Sequence, residues 1–136
     1  MKELRVMVVV AHPDDPDVNM AGTVAKFAAS GARVWMVSVS TGDKGHRTLP
    51  PIELARRRYA ETQASAKILG AERYLVLDGH DCELEVTMEW KRKLTKLVRE
   101  FAPHIVFTHR SCDYHADHRA VAQIMMDIAY FLGVPY

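Results

Sequence analysis

A short, continuous run of apolar residues at positions 6–10 constrains the fold of this chain more than any other feature of the sequence. The run is too short to cross a membrane, and it lacks the polar alternation of a strand with one wet face. It is therefore typical of a strand buried on both sides in a parallel sheet. We read the first strand as residues 1–10, and similar strands are predicted at 33–39, 74–77 and 105–108.

Segments with helical spacing of apolar residues separate these strands. The first spans 20–30, the second begins near Pro51 and ends at Gly70, Thr87 can cap the third, and the last follows residue 116. We expect the second helix to bury Ile52, Ala55, Tyr59, Ala66 and Leu69. The alternation predicts one α/β domain over residues 1–136, a Rossmann-like three-layer α/β/α fold with a mostly parallel sheet ordered 3-2-1-4.

Charge and cysteine content exclude several classes of protein. The formal net charge of +1 supplies no strong field for nucleic acid, and no apolar run is long enough for a membrane segment. Charged residues crowd the first apolar run, which argues against a signal peptide. The two cysteines, Cys82 and Cys112, have no CxxC spacing and form no disulfide framework. We therefore expect a cytoplasmic protein.

Two polar clusters follow the first and fourth predicted strands. In the order 3-2-1-4 the strand order reverses between these two strands, and open parallel sheets bind ligands beyond the carboxyl ends of the strands at such a point. The clusters should therefore meet across one crevice. They contain His12, Asp14, Asp15, Asp113, His115, Asp117 and His118.

The residue types in these clusters suit a catalytic metal ion. His12, Asp15 and His118 would supply two imidazoles and one carboxylate, a ligand set that zinc accepts while keeping a position open for water. Asp14 would remain as the general base for that water. His115 would stabilise the oxyanion or protonate the leaving amine. We expect Zn²⁺, although another divalent metal would suit the same atoms.

Other polar residues near the clusters have less certain assignments from the sequence. Asp113 or Asp117 would orient a ligand histidine from behind. Asp43 and Lys44 would shape the floor or rim of the pocket, or simply belong to a loop. Arg57 would bind the substrate or support the site from behind. It lies in a run of three arginines, and the alternative is that most of these cover a solvated helix face, where one of them pairs with Glu61.

The motifs that carry these residues resemble the LmbE-like, or PIG-L, family of zinc-dependent N-deacetylases. They are AHPDD at 11–15, TGDKG at 41–45, Arg57 with Glu61, and DYHADHRA at 113–120. The resemblance implies a Rossmann-like fold and hydrolysis of an N-acetyl group, commonly on a glucosamine unit. Carried over by position, it implies His12, Asp15 and His118 as zinc ligands, Asp14 as base and His115 as the partner of the oxyanion or leaving amine.

The sequence departs from the family pattern in two respects. Pro16 stands where many members have a glutamate after the two aspartates. Members also usually continue well past the position of Tyr136. We therefore expect a fragment or a short member, or a homo-oligomer that supplies the missing walls. An open sheet edge beside the fourth strand would favour such self-association.

The expected function is zinc-dependent removal of an N-acetyl or N-acyl group from an amino sugar or sugar conjugate, with that small molecule as the substrate. A metal-dependent phosphoesterase is one alternative, because histidine and aspartate clusters also serve phosphoryl transfer. A non-catalytic module that keeps the fold and the metal is the other. Retention of both Asp14 and His115 argues against it, since a structural metal needs neither.

Overall fold

The computed structural model describes residues 3–135, so Met1 and Lys2 of the predicted first strand lie outside the described residues. Strands and helices alternate along the described chain, as the sequence predicts. In order they are β1 (Arg5–Val10), α1 (Asp15–Asn19), α2 (Ala21–Ala29), β2 (Arg33–Ser40), α3 (Pro51–Leu69), β3 (Arg73–Gly79), α4 (Met88–Phe101), β4 (Ile105–Thr108) and α5 (Ala116–Phe131).

The strands form one parallel sheet in the order β3-β2-β1-β4, which confirms the predicted topology. Strand β1 lies inside the sheet, where Val6 is in register with Val34 of β2 and with Ile105 of β4. Every residue from Val6 to Val10 is buried. The uniform apolar run thus reflects a strand covered on both faces.

Helices cover both faces of the sheet, which gives the predicted three layers. Alternate residues of β1 belong to two separate cores: Met7 and Val9 pack with residues of α4 and α5, while Val6 and Val8 pack with residues of α2 and α3. This partition follows from the two-residue period of side chains along a strand. No helix within residues 3–135 is both long and apolar enough to cross a membrane.

The buried face of α3 differs from the predicted one. Ile52 and Tyr59 are 69% and 53% exposed, and the buried positions are Leu54, Thr62 and Ala66. Of these, Ala66 was expected; the other two expected residues, Ala55 and Leu69, are half-buried, and Leu69 packs against the core. The helix carries apolar residues on more than one stripe, and the stripe at Leu54, Thr62 and Ala66 is the one that packs inward.

The short helix α1 was not predicted, because Pro13-Asp14-Asp15 directly after a strand is more typical of a turn. Proline in the first turn is compatible with a helix start, and Asp15 and Asp17 place negative charge at its N-terminal end. The turn that follows β1 therefore becomes a helix start. This change brings the Asp15 side chain back towards the end of β1, where its carboxylate accepts a hydrogen bond from the His12 amide at 2.8 Å.

Candidate metal centre

A cavity of about 660 Å³ lies at the carboxyl ends of β1 and β4, where the strand order reverses. This is the position at which open parallel sheets bind their ligands. The two predicted clusters do meet here, one in the loop after β1 and the other in the loop and first turn after β4. Its polar walls include His12, Asp14, Asp15, Arg58, Asp81, His109, Arg110, Asp113, His115 and His118.

The peptide that carries His12 is fixed by buried polar groups at the end of the sheet. The carbonyl oxygen of Ala11 accepts hydrogen bonds from the Ser40 amide (2.9 Å) and the Ser40 hydroxyl (2.8 Å), with the Ser38 hydroxyl at 3.3 Å. Both serines are fully buried. The Ala11 amide donates to Nε2 of His109 at 2.9 Å. The backbone beside the first candidate ligand is therefore held on both sides.

The proton position on His12 follows from its contact with Asp117. His12 Nε2 lies 2.9 Å from Oδ2 of Asp117, a buried carboxylate that also accepts the amides of Cys82 (2.8 Å) and Leu84 (3.2 Å). An ionised carboxylate can only accept hydrogen bonds, so His12 Nε2 carries a hydrogen and donates it. In the neutral ring, the lone pair is then on Nδ1.

His118 is oriented in the same manner by Asp113. Its Nδ1 lies 3.0 Å from Asp113 Oδ1, so Nδ1 is the donor and the lone pair of the neutral ring is on Nε2. That lone pair faces His12 Nδ1 at 3.2 Å. Asp15 completes the group, with its Oδ1 3.2 Å from His118 Nε2 and its Oδ2 3.5 Å from His12 Nδ1.

These three side chains fit a tetrahedral zinc site. Zinc binds nitrogen and carboxylate oxygen at roughly 2.0–2.2 Å, so neighbouring ligand atoms of a tetrahedral site lie about 3.3 Å apart. The two nitrogens are 3.2 Å apart, and they face different oxygens of the carboxylate: His118 Nε2 lies 3.2 Å from Asp15 Oδ1, and His12 Nδ1 lies 3.5 Å from Asp15 Oδ2. With the second nitrogen of each ring donating to an aspartate, two lone pairs and a carboxylate converge with no hydrogen between them. A cation is the natural counterpart of such a donor set.

The pKa values of the three groups reflect the same convergence. Burial disfavours the charged form of His12, but its contacts with Asp15 and Asp117 outweigh burial and raise its pKa to about 9. Burial also opposes ionisation of Asp15, yet the imidazole and amide groups around it hold its pKa far below the usual range. Burial lowers the pKa of His118. In the metal-free protein the raised pKa of His12 favours a second proton on its ring, which supplies the positive charge beside the Asp15 carboxylate.

Asp14 and His115 lie at the cavity beside the three candidate ligands, and a ring nitrogen of His115 comes close enough to those of His12 and His118 to be a possible ligand itself. The Asp14 side chain is exposed and makes no hydrogen bond to another residue of 3–135. His115 Nδ1 accepts the Asp117 amide at 3.2 Å as the cap of α5, which leaves a hydrogen on Nε2 of the neutral ring. The His115 and His12 ring centres are 4.6 Å apart. The cavity therefore offers a free carboxylate and an N–H donor.

A second set of potential ligands is less suited to a metal ion. His12 Nε2, Asp81, His115 and Asp117 also lie close together. However, Asp117 already accepts three hydrogen bonds, and His12 Nε2 carries a hydrogen, so neither has a free lone pair directed at a shared point. Asp81 Oδ1 lies 3.2 Å from His12 Nε2 and supports the same proton position.

The remaining predicted residues lie behind or beside the cavity. The buried carboxylate of Asp43 accepts hydrogen bonds from His80 Nδ1 at 2.7 Å and from the Asp81 amide at 2.9 Å, so it holds the loop after β3 in place. Lys44 pairs with Glu83 on the surface. Neither belongs to the cavity wall, to which the same loop contributes its two glycines.

Arg57 lies on the solvated face of α3, as the alternative reading of the arginine run had it, and not at the cavity. Its side chain is 63% exposed and pairs with Glu61 at 3.0 Å. The next residue, Arg58, lines the cavity. One position along a helix turns a side chain by about 100°, so a run of arginines does not reveal which member faces inwards.

Besides Arg58 and Arg110, an aspartate and a histidine of the cavity wall were not assigned a role from the sequence. Asp81 follows β3, and His109 follows β4. Both stand just after the carboxyl end of a strand, and that placement is the signal that could have found them. The His80–Asp43 contact helps to bring the loop of Asp81 towards β1.

Comparisons with known proteins agree with this fold and cavity. The family model described as "PIG-L: GlcNAc-PI de-N-acetylase" matches residues 7–129. Diacetylchitobiose deacetylase of Thermococcus kodakarensis is 31% identical, over 96% of this chain and 51% of its own length. A 1D-myo-inositol 2-acetamido-2-deoxy-alpha-D-glucopyranoside deacetylase of Thermobispora bispora is 29% identical, over 80% of this chain and 45% of its own length.

A solved structure extends the similarity to three dimensions. N,N'-diacetylchitobiose deacetylase from Pyrococcus horikoshii, in complex with its inhibitor MPG, superposes with a TM-score of 0.89 at 29% identity, over 98% of this chain and 52% of that one. The chain thus spans about half the length of the relatives it matches. With the family model covering most of its residues, the chain belongs to the PIG-L (LmbE-like) family of de-N-acetylases.

Proposed function

We propose that residues 1–136 form the metal-binding domain of a zinc-dependent N-deacetylase that acts on an N-acetylated amino sugar or its conjugate. The observation that carries the proposal is the convergence of His12 Nδ1, His118 Nε2 and the Asp15 carboxylate, each nitrogen lying 3.2–3.5 Å from one carboxylate oxygen and each imidazole being held by a further aspartate. The named activities of the relatives support the acetamido-sugar substrate class.

Zinc held by His12, Asp15 and His118 would supply a Lewis acid that makes water acidic enough to ionise near pH 7. The residues around it would then handle protons and charge. Asp14, whose carboxylate is free of other partners, accepts the proton of the attacking water. His115 presents its Nε2 hydrogen to the oxygen of the amide carbonyl as negative charge develops there.

The products follow from the fate of the C–N bond. Water oxygen adds to the amide carbon, and the proton taken up by Asp14 is available to the nitrogen as the C–N bond breaks. The amine leaves with that proton and the acyl group leaves as a carboxylic acid. The acid then gives the second proton of the water to the amine, so the products are a carboxylate and an ammonium group. The cavity volume of about 660 Å³ is in the range of small-molecule sites and can hold a sugar unit.

A metal-dependent phosphoesterase remains the second candidate from the sequence. Two-metal phosphoesterases hold ions about 3.5–4 Å apart between shared ligands. The second group of histidines and aspartates is engaged in hydrogen bonds here, which favours one metal and therefore the amidase.

Release of free amine from an N-acetylglucosamine conjugate by the zinc-loaded full chain tests the proposal. Asp14→Asn should lower turnover by at least about 100-fold, since general-base catalysis contributes that much. It should leave zinc binding unchanged, because Asp14 makes no contact within the ligand group. Asp78→Asn is the matched control, because Asp78 pairs with Lys93 on the surface. Near-normal turnover by the Asp14 variant would remove Asp14 from the mechanism, and phosphate-ester hydrolysis without amine release would favour the alternative.

A further inference from the structure

Two histidines flank β4, and each accepts an amide hydrogen at one end of β1: Arg5 is the first residue of that strand and Ala11 follows its last. At one end, His104 Nδ1 accepts the Arg5 amide at 3.0 Å; at the other, His109 Nε2 accepts the Ala11 amide at 2.9 Å. In both contacts an imidazole nitrogen accepts a hydrogen bond from a backbone amide, and the two contacts lie at opposite ends of the strands. Only the second one is beside the candidate metal centre, and none of the roles assigned so far uses the His109 side chain.

We propose that His109 is a positioning residue that sets the geometry of the three zinc ligands without binding the metal itself. The inference rests on the proposed function, because it concerns the same metal centre. It adds a residue to which neither the sequence motifs nor the ligand set gives a role.

The hydrogen bond to Ala11 explains why His109 is not a ligand. A neutral imidazole nitrogen has one lone pair, and the lone pair of His109 Nε2 is taken by the Ala11 amide. His109 Nε2 also lies 3.2 Å from Asp15 Oδ2, close enough to be mistaken for a ligand atom of a site with Asp15 and His118. With the Nε2 lone pair engaged, Nδ1 is the nitrogen that carries the ring hydrogen.

His109 contacts the surroundings of all three ligands. Its acceptor nitrogen fixes the peptide immediately before His12. The same nitrogen abuts the carboxylate of Asp15. Its ring stacks on the His118 ring, with centres 3.9 Å apart and planes 7° from parallel. The side chain is only 9% exposed, so packing holds it in this place.

The lone pair of Nε2 is the feature that this account requires. If it is lost, the buried Ala11 amide has no acceptor, and the backbone must shift to find one. Such a shift moves His12 relative to His118. Residues that orient zinc ligands from behind typically change metal affinity by 10–100-fold when they are replaced.

Replacement of His109 by three side chains separates the lone pair from the ring. His109→Gln can place its amide oxygen near the position of Nε2 and keep the acceptor. His109→Asn is shorter and does not reach Ala11. His109→Phe keeps a stacked ring without an acceptor. His104→Gln and His104→Asn are matched controls at the far end of β4, where the same type of contact is made to Arg5.

Zinc affinity of the metal-stripped full chain, measured by competition with a chromophoric chelator, is the readout, with urea denaturation alongside. We expect His109→Asn and His109→Phe to weaken zinc binding by about 10–100-fold and His109→Gln to restore most of it. His104→Asn should lower stability only. If His109→Phe fails to fold, the comparison of Asn with Gln gives the same answer.

The inference is overturned if His109→Asn binds zinc as tightly as the wild type, or if His109→Gln is as weak as His109→Asn. It is also overturned if His104→Asn weakens zinc binding equally, because the effect would then follow general stability. Failure of the wild type to bind zinc would instead contradict the proposed function, so the two failures are distinguishable.

Discussion

Asp117→Asn should damage the fold and the metal centre together. The Asp117 side chain is 1% exposed and accepts the amides of Cys82 and Leu84 as well as Nε2 of His12. An asparagine has one acceptor oxygen, so its NH₂ group must face at least one of these N–H donors. A buried donor left without a partner costs about 1–3 kcal/mol, and the remaining bonds lose the strength that a charged acceptor gives.

The expected loss is therefore about 2–4 kcal/mol in the free energy of unfolding, measured by urea denaturation of the metal-free protein. Zinc affinity should fall by about 10–100-fold, because His12 loses the partner that fixes its Nε2 hydrogen. Asp127→Asn is the control: Asp127 pairs with Lys91 at 2.7 Å near the surface, so its loss should cost less than about 1 kcal/mol and spare zinc binding. An Asp117 variant with wild-type stability and zinc affinity would refute this account of the buried carboxylate.

The pH dependence and one glycine provide further tests. In the metal-free protein the pKa of His12 is raised above its ordinary value of 6.5, so its contribution to stability is fully present below pH 6.5 and is lost as pH rises through about 9. Zinc must displace that proton, so the apparent zinc affinity should rise between pH 7 and 9. A zinc affinity that does not change with pH in a chelator competition would contradict the assignment of His12 as a ligand. Gly42→Ala should destabilise the fold by at least about 1 kcal/mol in urea denaturation, because φ is +67° and a Cβ would lie 2.9 Å from Pro13 Cδ. Gly22→Ala, in α2 with nothing within 4 Å of the added Cβ, should be neutral or stabilising; equal effects of the two substitutions would remove the argument.

The sheet was predictable because its signal is local. A strand buried on both faces reads as an unbroken apolar run, and the spacing of these runs by helical segments leaves few topologies. The order β3-β2-β1-β4 places β1 beside β4, so the loops that follow these two strands lie next to each other. His12 and His118 could therefore be placed close together, although more than a hundred residues separate them in the sequence.

The rest of the site depended on packing that a sequence does not display. Asp81 reaches His12 from a loop whose amide is held by Asp43, and Arg58 lines the cavity in place of Arg57. The role of His109 depends on a contact with a peptide amide 98 residues away in sequence. Such contacts are set by the rotation of a helix or the path of a loop, and neither leaves a periodic pattern.

Titration of the metal-stripped chain with Zn²⁺, while the release of amine from an N-acetylglucosamine conjugate is followed, tests the central claim most directly. The three ligand atoms converge on one point, so activity should be absent without metal and should reach its maximum at one zinc per chain. Amine release that is unaffected by removal of the metal would contradict the account, and so would a chain that binds no zinc.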